Sequence, residues 1–306
     1  MRTRVFPESN YRSVFFNNKT LRFRIDQSKS IDELRWPEFY DVKITNKCNG
    51  KCPECYQASI PKGEHAKDLI SNFNSFFGPM DENQRPYQIA IGGGEPTLHP
   101  QFFDLLIASD SLGIVPNYTT NGMWSYGVKE DTVFIPQCRN VLDATQRYCG
   151  GVAVSVHPQL EKYWRKAAWL FIKNGIRTNL HIIISDRESI DIFSAEFKHQ
   201  IRLAEGYKYA GVDYFVLLPY EAMGRAKPKE IEFEYLFNKI RELKSEGWDI
   251  SKISYGANFY EELKKQSWLD VSLYEPHAFS AYLDMLDMKL YKSSFELVPK
   301  WTTKNY

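Results

Sequence analysis

The chain is poor in the features that mark specialised protein classes. Five cysteines in 306 residues are too few for a disulfide scaffold, and an odd number fits a reducing compartment better than a secreted one. An excess of one charge is also missing. Lys and Arg number 39 against 38 Asp and Glu, a formal net charge of +1, so no whole-molecule field steers the protein onto nucleic acid or an anionic membrane. The longest apolar runs, such as 167–172 and 215–218, fall far short of the ~20 residues a membrane helix needs. The segment from Met1 to Glu8 is charged and has no apolar signal core. Low-complexity tracts and internal repeats are absent as well. Collagenous, coiled-coil, mainly disordered, membrane-spanning and disulfide-stapled classes are excluded, and the expected location is cytoplasmic.

Hydrophobic residues at 43% and charged ones at 25% are globular proportions, and from about residue 40 they alternate between strand and helix periods. Tyr40 to Thr45 reads as a strand. Leu69, Ile70, Phe73, Phe76 and Phe77 then follow at helical spacing until Gly78-Pro79. A strand from Gln88 to Ile91 runs into Gly92-Gly93-Gly94 and a helix from Phe102 to Leu112. Further strands are expected at Val115–Thr120, Val152–Val156, Ile176–Ile184 and Val212–Leu218. The helix striped by Leu160, Trp164, Ala167 and Phe171 ends at Asn174-Gly175, another spans 192–204, and the last, striped by Phe233, Leu236, Phe237, Ile240 and Leu243, ends at Gly247. Six such βα units imply an α/β fold whose parallel sheet, with right-handed crossovers, curls into a full or partial barrel. Chemistry is then expected on the loops at the strands' C-terminal ends. Two hairpins flank this core, one over 12–25 turning at Asn17-Asn18 and one over 279–295 turning at Met285 to Asp287. The expected organisation is an extension over 1–39, the α/β body over 40–247 and a C-terminal extension over 248–306.

Three of the five cysteines, Cys48, Cys52 and Cys55, fall in one Cys-x3-Cys-x2-Cys loop directly after the first strand of the body. Thiolates at these intervals reach a common centre, either zinc or an iron–sulfur cluster. A structural zinc needs a fourth ligand, for which His65 is at hand. A cluster held by three thiolates leaves one iron open to a small molecule. Cys138 and Cys149 lie apart; hydrogen donation to a radical is one use for them, and small core residues the more ordinary one.

This loop with Tyr56 after it, together with Gly93-Gly94-Glu95-Pro96 after the second strand, resembles the radical S-adenosylmethionine (radical SAM) superfamily. Thr120-Asn121-Gly122, Val154-Ser155-Val156 and Gly224-Arg225-Ala226 are weaker echoes. The resemblance covers about 40–247 and implies a partial (β/α)6 barrel carrying one [4Fe–4S] cluster on Cys48, Cys52 and Cys55. The open iron would bind S-adenosylmethionine, and an electron from a flavodoxin- or ferredoxin-like donor would cleave it to methionine and a 5′-deoxyadenosyl radical that abstracts hydrogen from substrate. Gly93 and Gly94 would let the backbone approach the methionine amino group, with Glu95 as an acceptor there or an anchor. Tyr56 would offer its backbone to adenine, with its ring beside the cluster. Ser155 and His181 stand where the family places polar groups for the cofactor's carboxylate or ribose, and Asn121, Asn179 and Leu218 are further candidates for cofactor contact. His99 and His157, each before proline, read as structural.

The 274–295 region resembles the SPASM or twitch extension of peptide-modifying radical SAM enzymes. Tyr274 or Glu275 and Ser293 occupy positions where cysteines would hold an auxiliary cluster, and no cysteine follows Cys149. Arg225, after the sixth strand, is a candidate clamp for a substrate carboxylate or phosphate, or else an ordering salt bridge. A peptide or amino-acid-derived substrate is favoured, the N-terminal hairpin offering an edge strand for it. The alternative within the enzyme class is a nucleotide or nucleic-acid base, met by stacking aromatics and a basic patch of N-terminal arginines. The alternative of another class is a non-enzymatic zinc or iron–sulfur module.

Overall fold

The computed structural model describes residues 1–125, 136–206, 211–269, 278–296 and 301–302, of which 136–138, 203–206 and 301–302 are described by backbone alone. The first three strands, β1 (Arg2–Phe6), β2 (Tyr11–Phe16) and β3 (Lys19–Arg24), form a small antiparallel sheet. Asn17 and Asn18 turn between β2 and β3 at φ of 50° and 57°, the left-handed pair that matches a hairpin's twist.

The hairpin was expected and β1 was not, because its inward positions are arginines. Arg4 is fully buried and donates to the carbonyls of Asn83 (2.6 Å), Trp36 (2.7 Å) and Pro37 (3.2 Å). Arg2 donates to those of Gly113 (2.9 Å) and Arg85 (3.0 Å). These arginines therefore tie the small sheet to the body, and the N-terminal basic patch expected for nucleic acid does not form from them.

The body is one ten-stranded sheet. Along the chain come β4 (Phe39–Thr45), α1 (Leu69–Phe77), β5 (Gln88–Gly93), α2 (Phe102–Ser111), β6 (Val115–Thr120), α3 (Pro136–Tyr148) and β7 (Gly151–Val156). There follow α4 (Glu161–Lys173), β8 (Thr178–Ile184), α5 (Arg187–Gly206), β9 (Tyr214–Pro219), α6 (Phe233–Ser245), β10 (Ile253–Tyr255) and α7 (Tyr260–Lys264), then β11 (Ser280–Asp284), β12 (Lys289–Tyr291) and β13 (Trp301–Thr302). Strands β4 to β10 lie side by side in chain order, all parallel, as strand–helix alternation dictates. On the far side of β4 the sheet continues into parallel β11 and antiparallel β12 and β13. The expected boundary at 247 thus does not interrupt the sheet: β10 and the C-terminal hairpin both extend it. Among the described residues, no helix is long and apolar enough to cross a membrane.

Two further differences have local causes. β8 begins at Thr178 and not at Ile176, because Gly175 N donates to Ile172 O (2.9 Å) and Ile176 N to Phe171 O (3.0 Å), the paired bonds of a Schellman cap closing α4. Helix α3 was not expected because threonine stands in its apolar stripe: buried Thr145 donates to Val141 O (2.6 Å) and bonds Tyr118 Oη at 2.7 Å.

Alternation along each strand separates two faces. Tyr40, Val42 and Ile44 of β4, Ile89 and Ile91 of β5, Val152, Val154 and Val156 of β7, and Leu180, Ile182 and Ile184 of β8 are buried under the helices in one apolar core. Each such side chain contributes roughly 1.5–3 kcal/mol by leaving water. The opposite face carries Asp41, Lys43, Gly92, Thr119, Ser155, Asn179 and His181, a polar lining that core packing does not require.

Candidate functional site

Beyond Thr45 the chain makes an excursion that returns on itself. Asn46 N donates to Glu64 O (2.8 Å), Cys48 N to Ile60 O (3.0 Å) and Ile60 N to Asn46 O (3.2 Å). This closure sets Cys48, Cys52 and Cys55 as free, partly exposed thiols just past the C-terminal end of β4. Gly50 lies between two of them: a Cβ there would stand 3.5 Å from the Cys48 sulfur and 3.6 Å from that of Cys52. Burial pushes the Cys48 thiol up and that of Cys52 up to about 11, and the neighbouring thiols add to both shifts. Thiols so arranged suit a cation centre that stabilises the thiolates.

Among the described residues, no trio of His, Cys, Asp or Glu is arranged to hold a single metal ion. His65, the residue at hand for a fourth zinc ligand, instead meets Thr45 Oγ1 with Nδ1 at 2.9 Å and the His99 ring at 4.9 Å. Three separate soft donors without a fourth fit a polynuclear iron–sulfur cluster better than a closed zinc site. Three buried side-chain oxygens around the loop, Asn46 Oδ1, Gln57 Oε1 and Ser59 Oγ, have no hydrogen-bond partner among the described residues. Each costs about 1–3 kcal/mol unless a polar group meets it.

The Gly93-Gly94-Glu95 segment lies against this loop. Gly94 N donates to Thr45 O (2.6 Å) and Glu95 N to Lys47 O (2.9 Å). A Cβ on Gly93, whose φ is 118°, would stand 2.4 Å from Thr45 O, and one on Gly94 2.1 Å from Lys47 O. Both glycines are therefore required by the approach of the protein's own backbone. Gly92 differs, since its Cβ would meet nothing within 4 Å. Glu95, nearly fully buried, accepts from Thr97 Oγ1 (2.6 Å), Thr120 Oγ1 (2.9 Å) and Asn121 N (2.8 Å). Asn121, held this way, points Nδ2 at Cys48 Sγ (3.7 Å) and Asn49 Oδ1 (2.9 Å).

Farther along the sheet, Ser155 lies beside His181 and His181 beside Val216, while Asn179 lies between Ala153 and Tyr214. Leu218 lies beside Ile183, with Cδ2 3.0 Å from where a Cβ on Gly256 would stand. The sheet register thus brings Ser155, Asn179 and His181 to the polar face. Two cavities flank the cysteine loop. One of about 210 Å³ lies between Cys52–Glu54 and the ends of β7 and β8, lined by His157 and Ile183. The other, about 160 Å³, lies between Tyr56–Gln57 and the C-terminal hairpin.

Burial pushes the His181 imidazole down to about 4, against ~6.5 in an unfolded chain. Between these values the unfolded chain binds more protons, so the contribution to stability is full above pH 6.5 and is lost as pH falls toward 4. His181→Asn is expected to flatten the acid limb of the Tm–pH curve over that window by the equivalent of roughly 2–3 kcal/mol. Superimposable acid limbs for the two proteins would mean that water solvates the imidazole.

Other candidates fall differently. The Tyr56 ring packs on Phe295 at 5.0 Å, its hydroxyl accepts from Gln57 Nε2 (2.8 Å), and its carbonyl lies under Gly224. Arg225, a candidate anion clamp or ordering salt bridge, turns its guanidinium to the Cys52 and Ser59 carbonyls. His99 bonds Ala66 O (3.1 Å) and Gln101 N (3.0 Å), the structural role expected of it. Cys149 packs partly against the core, and burial pushes its thiol well up. The Cys138 side chain, Tyr274 and Glu275 lie outside the described residues.

Sequence reading missed Asp41, Lys43, Gly50, Gly92, Tyr282 and Asp284. Lys43 Nζ bonds Asp284 Oδ2 at 2.8 Å, and Asp41 lies beside Tyr282. Burial pushes the Asp41 carboxyl up. The signal was present in β4, where Asp41 and Lys43 alternate with Val42 and Ile44; the partner strand β11 was not legible from that.

No protein-family model matches the sequence, and no curated protein matches it. Solved structures do. SuiB of Streptococcus suis bound to S-adenosylmethionine superposes with a TM-score of 0.65 at 15% identity over 88% of this chain and 63% of that one. The same protein bound to the precursor peptide SuiA gives 0.64 at 15% identity, with 88% and 63% covered. Native anSMEcpe with bound AdoMet and the Cp18Cys peptide gives 0.54 at 15% identity over 87% of this chain and 76% of that one. The chain thus spans 63% of the length of the SuiB chains it matches. At this identity the likeness is one of fold, the α/β fold of radical SAM enzymes.

Proposed function

We propose that this chain is a radical SAM enzyme that binds one [4Fe–4S] cluster on Cys48, Cys52 and Cys55 and acts on a peptide or amino-acid-derived substrate. The observation that carries the reading is the pair of thiols Cys48 and Cys52 beside Gly50, with Cys55 free and partly exposed in the same loop, at the C-terminal edge of a parallel sheet whose opposite face is polar. Cys48, Cys52 and Cys55 would hold the cluster, which when bound would supply one-electron reduction of S-adenosylmethionine and so the chemistry for hydrogen abstraction from substrate.

The remaining work falls to side chains. Asn121 Nδ2, 3.7 Å from Cys48 Sγ, donates to that sulfur and steadies its negative charge. Glu95 fixes Asn121 from behind. Ser155, Asn179 and His181 offer polar groups to the ribose and carboxylate of S-adenosylmethionine, and the open space over Gly92 admits its methionine end. His181 makes no hydrogen bond among the described residues and stays neutral near pH 7, so one ring nitrogen is free to donate and the other to accept. The sheet is read as a partial barrel, with a SPASM-like hairpin on β4 that lacks cluster cysteines. Units at 1–39, 40–247 and 248–306, an electron donor of flavodoxin or ferredoxin type and a cytoplasmic location belong to the same reading.

A peptide is preferred because two of the similar structures hold peptides, and because Arg2 and Arg4 are engaged by backbone carbonyls and are not free to meet phosphates. The test is anaerobic reconstitution with iron and sulfide, followed by reductant, S-adenosylmethionine and chromatography for 5′-deoxyadenosine. A brown protein that releases it is the expected result. A colourless protein that neither binds nor cleaves the cofactor would overturn the reading.

A further inference from the structure

The cysteine loop has almost nothing apolar to hold it. From residue 48 to 59 only Gly50 and Ser59 are buried, so beyond the Tyr56 ring on Phe295 hydrophobic burial does little to fix where the three sulfurs sit. The loop is instead gripped by the segment that follows β9. Gly224 has a φ of 61°, and a Cβ there would stand 2.3 Å from Tyr56 O and 2.6 Å from Cys55 O. Its neighbour Arg225 donates its backbone N–H to Cys55 O at 3.0 Å. The guanidinium donates Nε and Nη2 to Cys52 O (3.2 and 3.0 Å) and Nη1 to Ser59 O (2.7 Å). Farther on, Lys229 Nζ bridges Glu54 Oε1 (2.5 Å) and Asp186 Oδ2 (2.9 Å), the latter just past β8.

Every acceptor of Arg225 is a main-chain carbonyl of the loop, and two of them belong to Cys52 and Cys55. Hydrogen bonds from a charged donor are stronger than those between neutral groups. The rigid fork of an arginine chelates one carbonyl while reaching a second, which the single ammonium of lysine does not reproduce.

We infer that Arg225 is a positioning residue: seated by Gly224, it latches the cysteine loop so that the thiols are gathered before any metal arrives. Lys229 is the second tether, through Glu54. The inference rests on the reading of these thiols as cluster ligands, but the latch has a readout that needs no metal.

The measurement is the rate at which a soluble thiol reagent labels each cysteine of the full-length, metal-free protein, followed by peptide mapping. Cys149, partly buried and outside the loop, is the internal control. Arg225→Ala is expected to speed labelling of Cys52 and Cys55 about tenfold, the equivalent of ~1.4 kcal/mol of lost closure, with Cys149 unchanged. Iron bound on reconstitution is expected to fall with it. Arg225→Lys, keeping the charge but one donor group, is expected to lie between. Should Arg225→Ala unfold and release Cys149 as well, Lys229→Met takes its place, with a smaller acceleration confined to Cys52 and Cys55. Rates equal to the parent's in the folded variants would overturn the latch. Faster labelling in a protein whose parent takes up no iron would leave the latch standing and remove the cluster.

Discussion

Cys52→Ala protein, purified and reconstituted without oxygen, is expected to be folded, nearly colourless and unable to release 5′-deoxyadenosine, its rate at least ~100-fold below the parent. The fold should be indifferent to the change. Cys52 sits in a partly exposed loop, while the apolar core lies under the helices on the other side of the sheet. A surface substitution of this kind is worth about 0.5 kcal/mol in stability or less. The loss of chemistry should be near complete, because a cluster with two protein thiolates has too few ligands to persist. Cys48→Ala and Cys55→Ala should behave alike, with the three melting temperatures close to the parent's. Undiminished cofactor cleavage by any one of them would assign the loop to structure.

The second large effect is expected at Gly94, and for a reason different from the one the motif implies. The resemblance assigns this glycine to the cofactor's amino group, but the direction its Cβ would take is filled by Lys47 O at 2.1 Å. Gly94→Val must push the end of β5 away from the cysteine loop. That breaks the Gly94 N to Thr45 O and Glu95 N to Lys47 O bonds together, at a cost of about 3 kcal/mol or more, visible as a drop in Tm before any cofactor is added. Gly92→Ala is the contrasting variant. Its Cβ meets nothing within 4 Å, so Tm should move little, and any loss there should appear in S-adenosylmethionine affinity. A Gly94→Val protein as stable as its parent would show that the loop yields freely.

These two glycines illustrate what the sequence conveys and what it withholds. Local periodicity was legible: Val42 and Ile44 against Asp41 and Lys43 in β4, the Asn17-Asn18 turn, and the helix end at Asn174-Gly175 all follow from neighbours a few residues apart. Motif spacing located the thiols, and the family resemblance, not the strand pattern, singled out Ser155 and His181. What stayed hidden depends on residues far apart in the chain. Nothing near Arg4 says that it is buried, since its acceptors lie at 36–37 and 83–84. Arg225 reads as an anion clamp because its true acceptors are carbonyls about 170 residues earlier. The short strand β10 has only three residues, too few for a period to show.

The place of β11 has a consequence in time. The strand that leads into the cysteine loop, β4, is flanked on one side by β5 and on the other by β11, which lies some 240 positions later. While the chain is being made, β4 therefore presents a raw strand edge with a reactive thiol loop at its end. Pairings across such a separation are slow to form, and an unpaired edge invites other chains. Synthesis should thus yield a soluble thiol loop only once residues 280–291 have emerged and docked. Chains stopped before Ser280 should aggregate through β4, as a truncation series followed by sedimentation can test.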